Sequence, residues 1–364
     1  MKAAVISLGS VSSKWLVESM RKYFKVVDAL DLKKIEISVG KKEPVVLYDG
    51  KSIGEYDCIY AKGSFRYISL LQSLTSALYK KSYMPIVPEA FTIGHDKLLT
   101  QLELQKHKIP MPTTYISSTA DAAKKILEKI NYPIIMKLPQ GTQGKGVMFA
   151  DSYAAASSML DALASLKQPF IIQEYIETGG VDIRAIVVGN KVVASMKRKA
   201  VSGEKRANIH AGGTGETCLL DANTQRIAVN TAKAVGADIC AVDILDSALG
   251  PMVIEVNLSP GLQGITKACR TDVADLIAKS LFKSSKKFVS EEKKHDASNI
   301  LSDLGIEDTN GKPKQIITSV DFRGNRMLMP EMITKVTEFG PEDELVISVK
   351  KGKLYVEKFD VKKD

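Results

Sequence analysis

The feature that most constrains this chain is a sustained alternation of short apolar segments with helix-length amphipathic ones over roughly its first 282 residues. Within 1–95, the segments AAVISL, VVLY and CIYAK read as strands, and 14–23 and 67–81 as helices. Such alternation predicts a small α/β domain built on a parallel sheet. An amphipathic stretch over 96–107, stopped by Ile109-Pro110, then opens a second region that ends near residue 282. Its strand candidates YPIIMKL, PFIIQEYI, DIRAIVVGNKVVASMKR and MVIEVNLS are rich in β-branched residues, and helices are expected over 119–129 and 223–235.

The run 283–315 carries many charges, a single aromatic and a Gly-Lys-Pro, so it reads as a flexible linker with at most one short helix. From 316 to 364, IITSVDF, ELVISV and KLYVEKF return to strand-like alternation between Gly-Pro and Lys-Gly-Lys turns. A separate small β-rich unit is expected there. With 364 residues, 45% hydrophobic and 26% charged, the composition excludes a disordered chain and leaves room for two or three domains. No run approaches the ~18 apolar residues that span a bilayer, so a cytoplasmic protein is expected. The four cysteines, Cys58, Cys218, Cys240 and Cys269, form no CxxC and no Cys/His cluster, which argues against structural zinc and fits a reducing compartment. The formal charge of +9 suits an acidic partner such as a nucleotide, a polyanionic peptide or nucleic acid, although scattered surface lysine gives the same sum.

Three groups of residues carry chemistry. The loop 140–146, QGTQGKG, follows the strand IIMKL, as a glycine-rich turn that folds bare N–H groups over phosphates would. Val147 stands where a P-loop needs lysine, and an ordinary glycine-rich turn fits the residues as well. Lys137 lies inside the preceding apolar strand and needs either an exit to solvent or an anion. Asp243, Glu255 and Asn257 place oxygen ligands among apolar residues of neighbouring strands, with Glu255 and Asn257 on one sheet face. That set suits Mg²⁺, and a hydrogen-bonded strand terminus before Ser259-Pro260-Gly261 is the plain alternative. Basic residues gather at Lys197-Arg198-Lys199 and at Lys205-Arg206, either to meet a transferring phosphoryl group or as a solvated hairpin.

Taken in order, these blocks resemble the RimK branch of ATP-grasp ligases: Asp96-Lys97-Leu98; Lys137-Leu138 with GTQGKGV; Gln173-Glu174-Tyr175-Ile176; Asp182-Ile183-Arg184; Arg206-Ala207-Asn208 with His210, Gly212 and Gly213; Val242-Asp243-Ile244-Leu245; and Glu255 to Gly261. The resemblance covers roughly 1–282. It implies a mixed α/β and α+β fold, with a pre-ATP-grasp domain at 1–95 and an ATP-grasp domain of two subdomains at 96–282. It implies that Lys97 and Lys137 reach the phosphates of ATP while a loop containing Gly141, Gly144 and Gly146 closes over them. Glu174, Tyr175 and Ile176 would form the adenine hinge, with Asp182 near the ribose. Arg206, Ala207 and Asn208 would meet nucleotide phosphate, and Arg198 the acyl phosphate, which makes Arg198 and Arg206 the catalytic cations. Asp243, Glu255 and Asn257 would hold Mg²⁺, or Mn²⁺ in its place, as two ions.

The implied reaction joins a carboxylate to an amine through an acyl phosphate. Its expected form adds glutamate to a carboxylate of a protein terminus, carrier protein or cofactor. One departure is Ala61-Lys62-Gly63, with Arg66 nearby, where many relatives carry a Pro-Arg pair in an element facing the amine and acid pocket. The segment 316–364 resembles an AbrB-type swapped-hairpin module in Val320 to Asn325, Met329-Pro330, Gly340 to Leu345 and Gly352 to Val356. That implies an intertwined homo-oligomer. It also opens an alternative reading, a DNA-binding regulator whose ATP-grasp part senses nucleotide.

Overall fold

The computed structural model describes residues 1–40, 43–117, 119–138, 146–165, 167, 169–199, 214–303, 320–330, 333–334, 337 and 339–359. Gly141, Gly144, Arg206, Ala207 and Asn208 lie outside the described residues. Residues 1–288 form one compact unit and 289–364 another.

The chain begins β1 (Lys2–Ser7), α1 (Val11–Met20), β2 (Val26–Asp31), β3 (Ile35–Ser38), β4 (Val45–Tyr48), β5 (Lys51–Ser52), β6 (Cys58–Ala61) and α2 (Ile68–Leu78). β1 pairs in parallel with β2 on one side and β6 on the other. Ala3 to Ile6 are at most 1% exposed, as a central parallel strand covered on both faces requires. Because the chain turns from β1 to β2 and later returns to the other side of β1, the crevice beyond the ends of β1 and β6 is a topological switch point. VVLY does not join this sheet. As β4 it pairs antiparallel with β3 and β5, because Asp49-Gly50, with φ of 53° and 75°, closes a two-residue hairpin turn.

Next come α3 (Pro88–His95) and α4 (Lys97–Lys106). The Asp96 carboxylate caps α4, accepting from Leu98 N at 2.8 Å and Leu99 N at 3.0 Å, which fixes Lys97 as its first residue. Then follow β7 (Thr114–Ile116), α5 (Ala120–Leu127), β8 (Ile134–Lys137), β9 (Val147–Ala150), α6 (Tyr153–Ser165) and β10 (Ile171–Glu174). These form an antiparallel sheet ordered β7-β10-β8-β9 with its own apolar core, in which Leu127, Met136, Leu160 and Ile172 are fully buried. Each such side chain contributes about 1.5–3 kcal/mol, so this layer has a stabilising apolar cluster of its own.

The largest sheet is built from β11 (Val181–Val188), β12 (Lys191–Lys199), β13 (Thr214–Thr217), β14 (Ile239–Ser247) and β15 (Gly250–Asn257), with α7 (Ala222–Ala234), α8 (Gln263–Cys269) and α9 (Val273–Asp303). Its order is β13-β12-β11-β14-β15, and it shares one hydrophobic cluster with the parallel sheet, running from Ile6 and Phe91 to Val242 and Leu281. The unit therefore has two cores, and the site lies in the cleft between them.

α9 corrects the expectation for 283–315, because the chain is helical through Asp303 rather than a linker with at most one short helix. The run 273–303 contains neither Gly nor Pro, so high local charge removed apolar surface without removing helix propensity. Ser285 is fully buried, and the Phe288 ring lies 6.4 Å from that of Tyr83, so packing continues past residue 282. In the second unit, β16 (Asp321–Arg323) pairs with β17 (Arg326–Leu328), and β18 (Leu345–Lys350) with β19 (Lys353–Lys358), as two antiparallel hairpins. Cys58 and Cys240 are buried, whereas Cys218 and Cys269 are partly exposed, and all four are free thiols. Among the described residues no helix is long and apolar enough to cross a membrane.

The turn from α7 into β14 locks the two sheets of the larger core together. Gly236 has φ of 73°, its carbonyl accepts from Val87 N at 2.9 Å, and a Cβ there would collide with Val87 Cγ2. Gly236→Ala is expected to lower unfolding stability by roughly 2–4 kcal/mol, the sum of left-handed backbone strain and overpacking. Urea denaturation measures this; an unchanged midpoint would show that the turn relaxes freely.

Candidate functional site

Strand register assembles the site. In antiparallel pairs, directly opposed residues point to the same face. Asp182 opposes Arg198, and two residues on Arg184 opposes Asp243, which in turn opposes Glu255. Asn257, two residues beyond Glu255, completes one charged face spanning β12, β11, β14 and β15. A bulge at Ile254, where Asp243 faces Glu255 but Ile244 faces Val253, lies within this cluster. Bulges bend a strand and re-aim its side chains, and this one adjoins Glu255.

On that face the charges are paired and dry. Asp243, only 3% exposed, accepts from Arg184 Nε at 2.8 Å and Nη2 at 2.7 Å, and Arg198 Nη2 lies 2.9 Å from its second oxygen. Arg198 also donates Nε and Nη2 to the two Asp182 oxygens, each at 2.6 Å. Burial would push the Asp243 carboxyl up, but Arg184 and Arg198 outweigh it and hold it at about 2. Burial and the neighbouring Asp243 charge push Glu255 up. Removing one partner from such a lattice leaves an uncompensated buried charge, at a cost of about 3–5 kcal/mol. The Asn257 side-chain oxygen accepts from Ser259 N at 3.0 Å, turning the chain into the segment 258–261.

The facing wall comes from the four-stranded sheet. Lys137 is 7% exposed and donates Nζ to Gln173 Oε1 at 2.7 Å, while Gln173 Nε2 donates to Thr114 Oγ1 at 2.8 Å. Burial, reinforced by Lys97 and opposed by Glu255, lowers the Lys137 ammonium to about 8. Lys137 pairs with Val147, and Leu138 N donates to the Gly146 carbonyl at 3.1 Å, so β8 and β9 form the two strands of a hairpin. Gly146 has φ of 74° with Leu138 where a Cβ would go, which explains glycine there. Glu174 accepts from Thr113 N at 3.3 Å, and Tyr175 packs edge-on against Phe149 at 5.1 Å.

These walls enclose a cleft of about 890 Å³. Lys97, Lys137, Glu174, Tyr175, Ile176, Asp182, Arg198, Asp243, Glu255 and Asn257 all line it, whereas Gly146 closes the hairpin beside it. Asp182, expected near a ribose, has both oxygens on Arg198, and Arg198 is held between Asp182 and Asp243. Arg184 and Gln173 also belong to the cleft and were not among the expected site residues. Period-two counting along β11 from Asp182 was the signal for Arg184, whereas Gln173 shares the face of Lys137 only through the β8–β10 register, in which Ile171 opposes Lys137 and Gln173 opposes Ile135. A third wall, at the switch point, brings Ser7, Lys62 and His95 to the same cleft.

The described residues thus combine two carboxylates and an amide on one sheet with Lys137 on the facing hairpin layer and Lys97 at the start of α4. Oxygen donors set opposite ammonium groups are a chemistry that can take a polyphosphate together with a hard cation. The RimK-like ATP-grasp domain family matches residues 94–281. A probable alpha-L-glutamate ligase of Vibrio cholerae serotype O1 is 34% identical over 293 residues, covering 78% of this chain and 96% of the relative. A probable alpha-L-glutamate ligase of Marinomonas sp. is 36% identical over 293 residues, with the same coverage of 78% and 96%. Among solved structures, the ATP-grasp ligase PsnB complexed with minimal precursor, Mg and ADP aligns with TM-score 0.61 at 17% identity, covering 78% of this chain and 98% of that one, a likeness of fold. With its family domain matched and 78% of its length aligned with these relatives, the chain belongs to the RimK-like ATP-grasp family and is an ATP-dependent carboxylate–amine ligase.

Proposed function

We propose that this ligase joins glutamate, through its α-amine, to a carboxylate of a protein terminus, carrier protein or cofactor, by way of an acyl phosphate. The observation that carries the reading is the single sheet face on which Asp243, Glu255 and Asn257 meet Arg184 and Arg198, opposite Lys137. The relatives' name, alpha-L-glutamate ligase, supports glutamate as the added amino acid.

Lys97 and Lys137 would neutralise the polyphosphate, and Glu174, Tyr175 and Ile176 would hold the adenine. Asp243 and Glu255 with the Asn257 amide form an all-oxygen donor set, and Asp243 is ionised far below neutrality, so the residues fit Mg²⁺. Bound there, as two ions or with Mn²⁺ in its place, the metal would lower the charge of the phosphates; the solved PsnB complex contains Mg and ADP. The acceptor carboxylate attacks the γ-phosphorus, ADP leaves, and the amine displaces inorganic phosphate from the acyl phosphate after losing a proton. Arg198 supplies positive charge where the phosphoryl oxygens gain it, with Asp182 holding its guanidinium in orientation. Arg206, Ala207 and Asn208, with Gly141 and Gly144, complete the proposed nucleotide contacts from segments outside the described residues. No covalent enzyme nucleophile is needed, because positioning and charge suffice for in-line transfer.

The second unit we take as an assembly module in the cytoplasmic protein. Each of its hairpins has only two strands, too few to stand alone, and Phe322, Ile347, Val349 and Tyr355 are more than half exposed. A second copy of the same hairpins would cover them.

Incubation with ATP, Mg²⁺, L-glutamate and a panel of carboxylate acceptors is expected to give acceptor-stimulated ADP release. Glu255→Gln should lower that rate more than tenfold, a barrier increase above about 1.4 kcal/mol. Failure of every acceptor to stimulate ADP release would reject the ligation reading, and a variant retaining over a tenth of the rate would remove Glu255 from the metal set. Deletion of 316–364 is expected to reduce the particle mass by light scattering to that of a monomer. An unchanged oligomeric state would reject the assembly role.

A further inference from the structure

Among the described residues, one buried cation of the cleft has no ion-pair partner. Lys62 directly follows β6 at the switch point, is 6% exposed and lines the cleft. Among the described residues its Nζ makes no hydrogen bond or ion pair, and the Tyr60 ring centroid lies 5.7 Å from it. Burial lowers its ammonium to about 8.

The position is built rather than incidental. Lys62 N donates to the Ile6 carbonyl at 2.9 Å, and Gly63 N donates to Ser259 Oγ at 3.1 Å. The His95 ring hydrogen-bonds to the Gly63 and Phe91 backbones, tying the segment to α3. Beside it, the ten-residue α1 presents its N-terminus, with Ser10 accepting from Ser13 N at 3.3 Å and Ser7 and Ser10 lining the cleft. A helix N-terminus favours negative charge, and a buried ammonium without a partner is costly unless an anion arrives to pair with it. The crevice beyond the carboxyl ends of parallel strands at a switch point is also where open α/β sheets receive ligands.

We propose that Lys62 is the counter-ion for a second substrate carboxylate, distinct from the one that is phosphorylated, so that the site selects a dicarboxylic substrate over its monoamide. This rests on the ligation reading and names the substrate class that the same cleft takes. The carboxylate belongs either to the amino acid that supplies the amine or to the acceptor.

Calorimetric titration of protein saturated with Mg-ADP separates these sources without turnover. The probes are L-glutamate against L-glutamine, and glutarate against its monoamide. The wild type is expected to prefer the acid of at least one pair by roughly 30-fold, the worth of one charged hydrogen bond. Lys62→Met should abolish that preference and Lys62→Arg should keep it, with Mg-ADP affinity within twofold of wild type in both. Preference confined to the L-glutamate pair assigns the carboxylate to the amine donor, and preference shared by glutarate assigns it to the acceptor. Equal or absent binding of acid and amide by the wild type, or a preference that survives Lys62→Met, overturns the proposal. Should Lys62→Met lose Mg-ADP binding, Lys62→Gln replaces it under the same criteria. Failure of the ligation reading shows separately, as absence of carboxylate-stimulated ADP release.

Discussion

Asp182, Arg198, Asp243 and Arg184 hold one another in a dry lattice across three adjacent strands, and the rest of the site takes its position from them. Two carboxylates and two guanidiniums taken out of water are tolerable only when each finds its partner with good geometry. The bidentate pairs meet that condition, and they also demand one register. A slip of a single residue between β11 and β14 would send Asp243 to the opposite face, where its neighbours Val242 and Ile244 are fully buried. The lattice therefore makes the chemistry of the face and the pairing of the sheet a single constraint.

Separate cores give the cleft its second property. The β7-β10-β8-β9 layer carries Lys137 and the segment after Glu174 on a core of its own, while the five-stranded sheet shares its core with the N-terminal sheet. One wall can then be rigid and deeply buried while the facing wall is a small independent layer. Lys137 on that layer is buried, and burial with the neighbouring Lys97 lowers its ammonium to about 8. At the third wall, the parallel sheet brings Lys62 into the same space from a different part of the chain.

Much of this was legible in the sequence, because the signals were local. Asp96 before an amphipathic run marks a helix start, and the cap is there. The alternation in VIEVN places Glu255 and Asn257 on one face, and an isolated lysine in IIMKL marks Lys137. What stayed hidden depends on contacts far apart in the chain. Asp182 carries no sign that Arg198 will occupy both its oxygens, nor does Arg184 announce Asp243, since strand register is set by the packing of the whole sheet. The run after residue 282 differs for another reason: its low apolar content reads as a linker, but it is free of helix breakers, and helix propensity prevails through Asp303. The hairpin at Asp49-Gly50 was written in the residues, but VVLY alone does not say which sheet it will join.

The central claim is that a carboxylate is activated by phosphorylation on this sheet face before the amine attacks. Turnover with an acceptor whose carboxylate oxygens carry ¹⁸O tests it most directly, with the released inorganic phosphate analysed by mass spectrometry. The account predicts one ¹⁸O in each phosphate, transferred when the amine displaces it from the acyl phosphate. Unlabelled phosphate alongside amide product would contradict it.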